Sequence, residues 1–540
     1  MTTLPPHYNS MVTPLLTDMY QLTMTFAYFK QKQHNKKSVF NFFIRKPPFG
    51  GEFVVFAGLA DVLSYIHNFK FTEEHVTYIR TYVIPNAPEE FYQYLLDMDT
   101  KEVVVESLPE GTIAFPKVPF MSISGPLAVV QLLETTILNI CNFATLVATN
   151  AARHCMAVNY KSTMIEFGTR RAQGPDGALT AAKNAYIGGF AGTSNLQAGM
   201  MFDIPVMGTH AHSYVMSHVK KWDEITDKKL VVDDKVVCDD FITYVQIVAE
   251  KMKEVVNVET NQNELAAFTA YAITFPTSFL ALIDTFDVIN SGVVNFCIVA
   301  VALGCHGVKA IGVRLDSGDL AYQSVKVKEL VDKVADKFGL PDLKRISIIA
   351  SSDISEEVLL AIQNQPSQIT GYGVGTHLVT CKNQPALGGV YKLVNVEGTS
   401  TMKLSETVEK TTIPNHKKCF RLYDSKDVPV IDIMLRFDEA DPVVGEKLLC
   451  RDPFNETKRT FVTPSRVEKL HQCYYKDGQL QTTLPTIHQI RMDVMDNLKK
   501  VRDDHLRPLN PTPYKVSVSQ TLYEETHKLW FETRPIGNIE

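Results

Sequence analysis

The sequence lacks the cysteine patterns on which disulfide scaffolds and zinc sites are built. Its nine cysteines are scattered along the chain and no two of them form a CxxC pair. Neither a disulfide framework nor a structural zinc site is therefore expected. Reduced thiols are typical of the cytosol, so we expect a cytoplasmic protein.

An excess of charge of one sign is also missing. The chain has 54 basic and 60 acidic residues, a net charge of -6, so nothing calls for nucleic acid as a partner. Hydrophobic residues make up 45% and charged residues 21% of the chain, which is too apolar for disorder and ordinary for a globular enzyme. A chain of 540 residues is too long to fold around a single hydrophobic core. Its length predicts roughly two to four domains.

Targeting and membrane segments are not indicated either. The N-terminal stretch MTTLPPHYNSMVTPLLTDMYQ has no basic region followed by an apolar run, so no signal peptide is expected. The most apolar long segment, residues 126–154, is interrupted by Gln131, Glu134, Asn139 and Asn142. A buried helix fits that segment better than a membrane span, and no membrane partner is expected.

Short apolar runs alternate with helical patterns between about residues 160 and 395. Runs such as SFLALIDTFD and VKAIGVRLDSGD end in polar residues, and helices are predicted over 240–258, 291–304, 322–338 and 355–364. This alternation predicts a parallel sheet covered on both faces, and favours a (β/α) barrel over an open doubly wound sheet. We predict an α/β protein whose barrel spans 151–395, with 1–150 and 396–540 forming a second, mixed α/β domain.

Polar residues cluster where the apolar runs end. In a β/α barrel the carboxyl ends of the strands meet on one rim, where active sites lie. Polar loops begin at strand ends in any protein, but so many charged residues at the same relative position favour a site. The predicted rim residues are Glu166, Arg170, Arg171, Ser194, Asn195, Thr209, His212, Asp284, Arg314, Asp316, Asp319, Asp353 and Thr376.

The segment MGTHAHSYVMSHVKKWDE places three histidines, His210, His212 and His218, close together. They are candidates for metal ligands, a catalytic base, a phosphate acceptor or surface residues. A barrel hydrolase would use His210 and His212 as metal ligands, but a His-x-His pair normally follows the first strand of such a barrel. Here it follows about the third strand, which disfavours a metal site.

Two other segments indicate anion binding. No GxxxxGK[ST] loop is present, but Gly373, Gly375 and Thr376 end a late strand in GYGVGTHL, where backbone N–H groups can cradle a phosphate. Arg314 and Asp316, two residues apart on one strand, point to the same side. Such an arginine can clamp a carboxylate or phosphate and the acid can accept from sugar hydroxyls, although a structural ion pair is the alternative. The acidic segment 230–240 is interpreted as solvated.

Eight segments in order carry a family resemblance: LLTDMYQLTM, EFGTRRAQG, GGFAGTSN, GTHAHSYV, LIDTFDV, GVRLDSGDL, IIASSDIS and GVGTHLVT. Together they resemble the nicotinate phosphoribosyltransferases, over nearly the whole chain. The resemblance implies an irregular α/β barrel with a mixed domain from both chain ends, assembled as a homodimer with active sites at the interface. It further implies transfer of a phosphoribosyl group from 5-phosphoribosyl 1-diphosphate to nicotinate, coupled to ATP through a phosphohistidine that His212 matches. Nicotinamide phosphoribosyltransferase remains the nearest alternative within the class.

The resemblance also implies roles for individual residues. Nicotinate binding is implied for Tyr20 of the partner subunit, Phe167, Arg170, Thr209 and Arg314, and phosphoribosyl diphosphate binding for Arg171, Asp316, Asp353, Gly375 and Thr376. Asp284 is the expected partner of the phosphohistidine or of a metal, and Mg²⁺ or Mn²⁺ should arrive with the diphosphate, with Asp316 or Asp284 as ligands. Which of Arg170 and Arg171 contacts ligand stays open. Interface packing of Tyr20, core packing of Phe167 and loop capping by Asp284 or Asp353 are the structural alternatives.

Overall fold

The computed structural model of the chain describes residues 9–405, 407 and 410–534. They form two compact units. Unit 1 contains the chain up to Ala152, Asn184–Gly189 and the chain from Cys381 onward, whereas unit 2 contains Arg153–Lys183 and Phe190–Thr380. Residues 381–395, expected in the barrel, lie in unit 1, because the strand Gly389–Val396 pairs antiparallel with Lys37–Ile44 of that unit.

The helices of both units are numbered in chain order. The α-helices are α1 (Met19–Lys30), α2 (Leu59–His67), α3 (Glu73–Tyr78), α4 (Glu89–Asp97), α5 (Leu127–Leu132), α6 (Glu134–Ala157), α7 (Gly174–Ile187), α8 (Leu196–Phe202), α9 (His212–Ser217), α10 (Phe241–Met252), α11 (Gln262–Thr274), α12 (Val293–Cys305), α13 (Leu320–Phe338), α14 (Glu356–Gln363), α15 (Thr376–Val379), α16 (Ile487–Lys500) and α17 (Gln520–Thr533).

The strands are numbered in the same way. They are β1 (Lys37–Ile44), β2 (Val54–Val55), β3 (Val104–Ser107), β4 (Ile113–Ala114), β5 (Met121–Pro126), β6 (Thr163–Glu166), β7 (Gly192–Thr193), β8 (Leu230–Val232), β9 (Lys235–Cys238), β10 (Leu280–Leu282), β11 (Gly312–Leu315), β12 (Ser347–Ala350), β13 (Gly371–Val374), β14 (Gly389–Val396), β15 (Thr399–Ser400), β16 (Lys417–Tyr423), β17 (Pro429–Arg436), β18 (Leu448–Arg451), β19 (Arg459–Val462), β20 (Arg466–Lys469), β21 (Gln472–Lys476), β22 (Gln479–Leu480) and β23 (Val516–Val518).

Unit 2 is built on one parallel sheet in the order β10-β11-β12-β13-β6-β7. The pairing of β13 with β6 joins the last strand of the unit to its first, as barrel closure requires. A parallel bridge from Thr193 to Val206 extends the sheet beyond β7. Among the described residues no ladder joins Val206 to β10, so the barrel is irregular. The predicted fold class is confirmed.

Local signals in the sequence set the helix boundaries of unit 2. Asp319, predicted on the rim, is the N-cap of α13 and accepts from the N–H of Tyr322, and Gly339 ends the helix at a φ of 66°. Asn195 caps α8 in the same way, accepting from Ala198. Both residues therefore have a structural explanation for their position at a strand end.

The most apolar segment of unit 2 is a core helix. An 18-residue window over Val288–Cys305 has a mean hydropathy of 2.0, enough by composition to cross a membrane, but 78% of it is buried in the protein. The helices α10, α11 and α13 pack against α12 and cover its surface. The acidic segment 230–240, interpreted as solvated, forms the hairpin of β8 and β9, with Asp233 and Asp234 at positive φ in its turn.

Unit 1 contains two larger sheets. The first has the order β15-β14-β1-β5-β3-β21-β22 and combines strands from both ends of the chain. The second, β19-β18-β23-β17-β16-β20, comes from the C-terminal part alone and buries a core around Phe420, Ile433 and Leu435. Both sheets are largely antiparallel, which gives the mixed α/β unit expected from the chain ends.

Candidate active site

The carboxyl ends of the parallel strands carry the polar residues that form the site in unit 2. Glu166 ends β6, Asp284 follows β10, Asp316 follows β11 and Ser351 follows β12. Since these strands belong to one parallel sheet, their ends lie on the same rim. The first turn of α9 adds His212.

The His212 imidazole lies between a hydroxyl and two carboxylates. Its Nδ1 is 3.2 Å from Oγ1 of Thr285. Its Nε2 is 3.8 Å from Oδ1 of Asp284 and 3.7 Å from Oδ2 of Asp316. The His212 side chain is 39% exposed, so the ring is held in place yet open to a ligand.

The two carboxylates are held by other rim residues. Oδ2 of Asp284 accepts from the backbone N–H of Asp316 at 3.2 Å and from the Ser317 hydroxyl at 2.6 Å. Oδ1 of Asp316 accepts from the Ser351 hydroxyl at 2.8 Å. Oδ1 of Asp284 is buried and has no hydrogen-bond partner in the part of the chain that the structure describes, so it remains available to a ligand or a cation.

Arg314 supplies positive charge beside these acids. One terminal N–H group, at Nη2, donates to the carbonyl of His210 at 3.2 Å, whereas its Nε is buried and has no partner among the described residues. Burial lowers the pKa of the Arg314 guanidinium, the Asp316 and Asp284 carboxylates raise it, and the nearby charge of Arg170 lowers it. An arginine remains protonated at neutral pH, so the site holds an incompletely paired cation.

An aromatic ring lies next to this cation. The guanidinium carbon of Arg314 is 6.0 Å from the centre of the Phe167 ring. Gly373 in β13 leaves room for that ring, since a Cβ there would come within 2.2 Å of it. Glu166 fixes the backbone on both sides of Phe167, because its carboxylate accepts from the N–H of Gly168 and from the Thr193 hydroxyl. Burial raises the pKa of Glu166.

The remaining predicted residues have different environments. Arg170 and Arg171 are exposed on a short 3-10 helix, and the charge of Arg170 lowers the pKa of Arg314. Asp353 is exposed, with a φ of 42°, in the loop after β12. The others are placed as follows: Thr209 is half-buried beside His210, Gly375 and Thr376 begin the four-residue helix α15, and Tyr20 is 50% exposed on α1 of unit 1.

The arrangement does not support a hydrolase that uses His210 and His212 as paired metal ligands. His210 is buried, and its Nε2 accepts from the backbone N–H of Leu282 at 3.4 Å. Within residues 9–405, 407 and 410–534, no group of three or more His, Cys, Asp and Glu side chains forms a candidate metal site.

Several residues of the site were not predicted from the sequence. Thr285, Ser317 and Ser351 contact the histidine or its two acids. Each follows a predicted strand within one of the motifs LIDTFD, LDSGD and ASSD, so its place in the motif was the available signal. Hydroxyl residues are common in such loops, and their type alone does not single them out.

Three family models match the chain. The nicotinate phosphoribosyltransferase N-terminal domain matches residues 15–142, the nicotinate phosphoribosyltransferase family 162–275, and the corresponding C-terminal domain 416–526. The matches cover parts of both units.

Similar whole proteins carry the same name. Nicotinate phosphoribosyltransferase 2 of Arabidopsis thaliana is 48% identical over 98% of this chain and 97% of its own length. The Homo sapiens nicotinate phosphoribosyltransferase is 38% identical over 96% of each chain. The crystal structure of human nicotinic acid phosphoribosyltransferase superposes with a TM-score of 0.86 at 36% identity, covering 95% of this chain and 99% of that one.

Proposed function

This chain belongs to the nicotinate phosphoribosyltransferase family. We propose that its active site lies on the rim of the barrel, where the phosphoribosyl group is transferred to nicotinate, and that His212 accepts a phosphate from ATP. The enzyme converts nicotinate and 5-phosphoribosyl 1-diphosphate to nicotinate mononucleotide and diphosphate, a step in NAD synthesis from nicotinic acid. The observation that supports the role of His212 is its position between Thr285 on one ring nitrogen and two carboxylates on the other.

The transfer step needs charge stabilisation more than proton removal. The pyridine nitrogen already has a free lone pair, which forms the N–C1 bond while the C1–O bond to diphosphate breaks. Positive charge develops on the ribose and negative charge on the departing diphosphate. Fixed charges placed for these changes lower the barrier most effectively in a site shielded from water. In this proposal Asp316 would face the ribose, and Arg314 and Arg170 would face anionic groups.

The two sides of the His212 ring favour one tautomer. Carboxylates accept hydrogen bonds, so Asp284 and Asp316 favour a proton on Nε2. The lone pair then lies on Nδ1, where the Thr285 hydroxyl meets it. We infer that the Thr285 hydroxyl gives up this hydrogen bond and that Nδ1 attacks the γ-phosphate of ATP. An N–P bond forms, the bond to the leaving ADP breaks, and Asp284 and Asp316 stabilise the charged ring.

A divalent cation fits the same acids. Magnesium ions are commonly bound through one or two carboxylates together with substrate phosphates. Oδ1 of Asp284, buried without a partner among the described residues, and Oδ2 of Asp316 both face His212 and would hold Mg²⁺ or Mn²⁺. Such an ion would neutralise diphosphate charge during its departure.

Phe167 and Arg314 are suited to the acid form of the substrate. A pyridine ring lying on Phe167 would place its substituent near the buried Arg314 guanidinium, whose Nε–H has no partner among the described residues. A carboxylate pairs with that cation, whereas a neutral amide brings no charge to it. This favours nicotinate over nicotinamide. Thr209 would help to hold the carboxylate or the neighbouring phosphoribosyl group.

The remaining assignments complete the proposal. Asp353 would bind ribose hydroxyls, Arg171 the diphosphate, and the backbone and hydroxyl at Gly375 and Thr376 the 5-phosphate. The active enzyme would be a homodimer in which Tyr20 of the partner subunit covers the face of nicotinate opposite Phe167. Exposure of half of the Tyr20 side chain on α1 is compatible with that contact.

A steady-state assay tests the reaction and its coupling together. Purified enzyme is supplied with phosphoribosyl diphosphate and Mg²⁺, and nicotinate and nicotinamide are compared with and without ATP. We expect mononucleotide from nicotinate only, formed faster with ATP. Preference for nicotinamide would contradict the role of Arg314, and no reaction with either base would contradict the proposed function.

The His212→Ala variant separates transfer from coupling. It should take up no acid-labile phosphate from γ-labelled ATP while keeping the circular dichroism spectrum of the wild type. His218→Ala is the matched control. His218 lies on the same segment, but its Nδ1 is next to the Tyr214 carbonyl rather than the two carboxylates, so the variant should be labelled normally. Labelling that persists in His212→Ala would exclude His212 as the acceptor.

A further inference from the structure

A buried polar cluster lies behind the rim in unit 2. Glu264, in the first turn of α11, has no exposed surface. Its Oε2 accepts from the Ser291 hydroxyl at 2.5 Å and from the Asn295 side-chain amide at 2.9 Å. Ser291 in turn accepts from the backbone N–H of Asn261, the N-cap of α11, at 3.0 Å. We call Glu264, Ser291, Asn295 and Asn261 the α11 anchor.

An acidic residue is a costly choice for this position. Burial raises the pKa of Glu264 to about 7, although the bonds from Ser291 and Asn295 lower it. Its Oε1 is buried with no hydrogen-bond partner among the described residues. An interior carboxyl that is only partly satisfied calls for a reason other than packing.

The anchor is rigidly connected to the acid side of the active site. Ser291 belongs to a π-helical turn, Val288–Gly292, which directly follows the Asp284 loop. Gly292 packs so closely on the chain just before Asp284 that a Cβ there would lie 1.9 Å from the carbonyl oxygen of Ile283. A shift of Ser291 would therefore be transmitted to Asp284 and Thr285. Single π turns of this kind are frequent at functional sites.

The same helix, α11, holds the histidine side of the site. The Tyr214 hydroxyl of α9 donates to the carbonyl of Ala267 in α11 at 3.3 Å. The Tyr271 ring of α11 meets the His210 ring edge-on, with centroids 4.8 Å apart. Since His212 begins α9, the position of α11 determines where that imidazole lies.

We propose that Glu264 is a positioning residue that sets the distance between His212 and its two carboxylates, by tying α11 to the turn after Asp284. It touches no reacting atom, and its effect acts through α9 on one side and the Asp284 loop on the other. The inference rests on the proposed role of His212 as the phosphate acceptor. It predicts that the coupled step is slowed more than phosphoribosyl transfer without ATP, because both steps use Asp284 and Asp316 whereas only the coupled step uses the His212 ring.

The test compares Glu264→Ala, Glu264→Gln and Ser291→Ala with a matched control, Thr269→Ala. Thr269 is also fully buried in α11, but its hydroxyl donates only within the helix, to the Leu265 carbonyl at 2.7 Å. Two rates are measured on folded full-length enzyme: acid-labile labelling of His212 from γ-labelled ATP, and mononucleotide formation without ATP.

Glu264→Ala should slow labelling on the order of 10- to 100-fold, the usual effect of misplacing a reacting group by about an ångström. Its rate without ATP should fall less than its labelling rate, because transfer uses Asp284 and Asp316 but not the His212 ring. Ser291→Ala should lose part of the labelling rate. Glu264→Gln retains an acceptor for Ser291 and Asn295 and should restore labelling. Thr269→Ala should label normally. Normal labelling in Glu264→Ala, or an equal loss in Thr269→Ala, would overturn the proposal.

A second measurement does not depend on phosphorylation. Diethyl pyrocarbonate modifies accessible imidazoles, and peptide mass spectrometry gives the rate at His212 alone. A displaced His212 should react several-fold faster or slower in Glu264→Ala, with Thr269→Ala at the wild-type rate. If the wild-type enzyme takes no label from ATP, His212 is not the phosphate acceptor. The modification rate of His212 by diethyl pyrocarbonate still tests whether Glu264 positions it. An unchanged rate in Glu264→Ala refutes it.

Discussion

At the scale of single residues, the position of the Phe167 ring in the site depends on glycine at residue 373. Gly373 has ordinary backbone angles, so its conformation does not require glycine. The requirement is spatial, because a Cβ would lie 2.2 Å from one carbon of the Phe167 ring and 2.4 Å from another. The Phe167 ring cannot move aside easily, because the backbone that carries it is held by the hydrogen bond from Gly168 to Glu166.

Gly373→Ala is therefore expected to displace Phe167 and weaken nicotinate binding. Loss of a favourable ring contact of about 1.5 kcal/mol corresponds to roughly a tenfold higher KM for nicotinate. The KM for phosphoribosyl diphosphate should remain within about twofold, because that ligand does not rest on the ring. Gly177→Ala in α7 is the control, as a Cβ there meets nothing closer than 3.9 Å. An unchanged KM for nicotinate in Gly373→Ala would show that Phe167 does not contact the base.

At the scale of elements, His210 joins two segments that the sheet leaves unpaired. Val206 extends the sheet beyond β7, and β10 begins its other edge, with no ladder between them in the described residues. The His210 ring accepts from Leu282 of β10, and its carbonyl accepts from Arg314 of β11. The residue thus bridges the open side of the barrel next to His212. An acceptor nitrogen can do this only while it is unprotonated.

The bridge should make unit 2 sensitive to acid. The pKa of His210 is lowered to about 4, mainly by burial and also by the charges of Arg314 and His212, against a backbone hydrogen bond that raises it. Tyr214 and Tyr271 face the ring as neutral groups. The unfolded chain takes up a proton near pH 6.5, whereas the folded chain does so only near pH 4, so stability is lost as the pH falls between these values. At pH 5 the loss relative to pH 7 is about 2 kcal/mol.

His210→Gln keeps an acceptor but does not titrate, so its stability should fall about 2 kcal/mol less than that of the wild type between pH 7 and pH 5. The chain has two tryptophans, Trp222 in unit 2 and Trp530 in unit 1. In a Trp530→Phe background, urea unfolding followed by Trp222 fluorescence reports unit 2. His218→Gln should retain the wild-type acid sensitivity. Equal sensitivity of His210→Gln and the wild type would contradict the bridge.

At the scale of the whole molecule, the sequence predicts what depends on local pattern. Buried strands ending in polar residues predicted the barrel and placed Asp284, Arg314 and Asp316 on its rim. A motif singled out His212, whose role as phosphate acceptor stays a prediction. His210 carries no such signal, because its contacts come from residues 72 and 104 positions away. Glu264 lies in an ordinary helical pattern, and its partners are 27 and 31 residues distant. Contacts between distant elements decide these roles, and a linear pattern does not show them.

The homodimer proposed for the active enzyme makes a prediction that only the assembly can test. If each site combines Tyr20 of one subunit with Arg314 of the other, Tyr20→Ala and Arg314→Ala homodimers each lack one component at both sites. A heterodimer of the two variants then contains one intact site and one doubly altered site. Co-expression with two affinity tags and purification through both isolates this heterodimer.

The heterodimer should recover about half of the wild-type kcat, with the wild-type KM for nicotinate, since its one intact site retains every ligand contact. The two variant homodimers, purified in the same way, provide the baseline. If Tyr20 served the site of its own subunit, each site of the heterodimer would carry one substitution and activity would stay at that baseline. That result would mean that each site is built within one subunit. The fold and the chemistry of the rim would be unaffected, but Tyr20 of the partner subunit would have no part in nicotinate recognition.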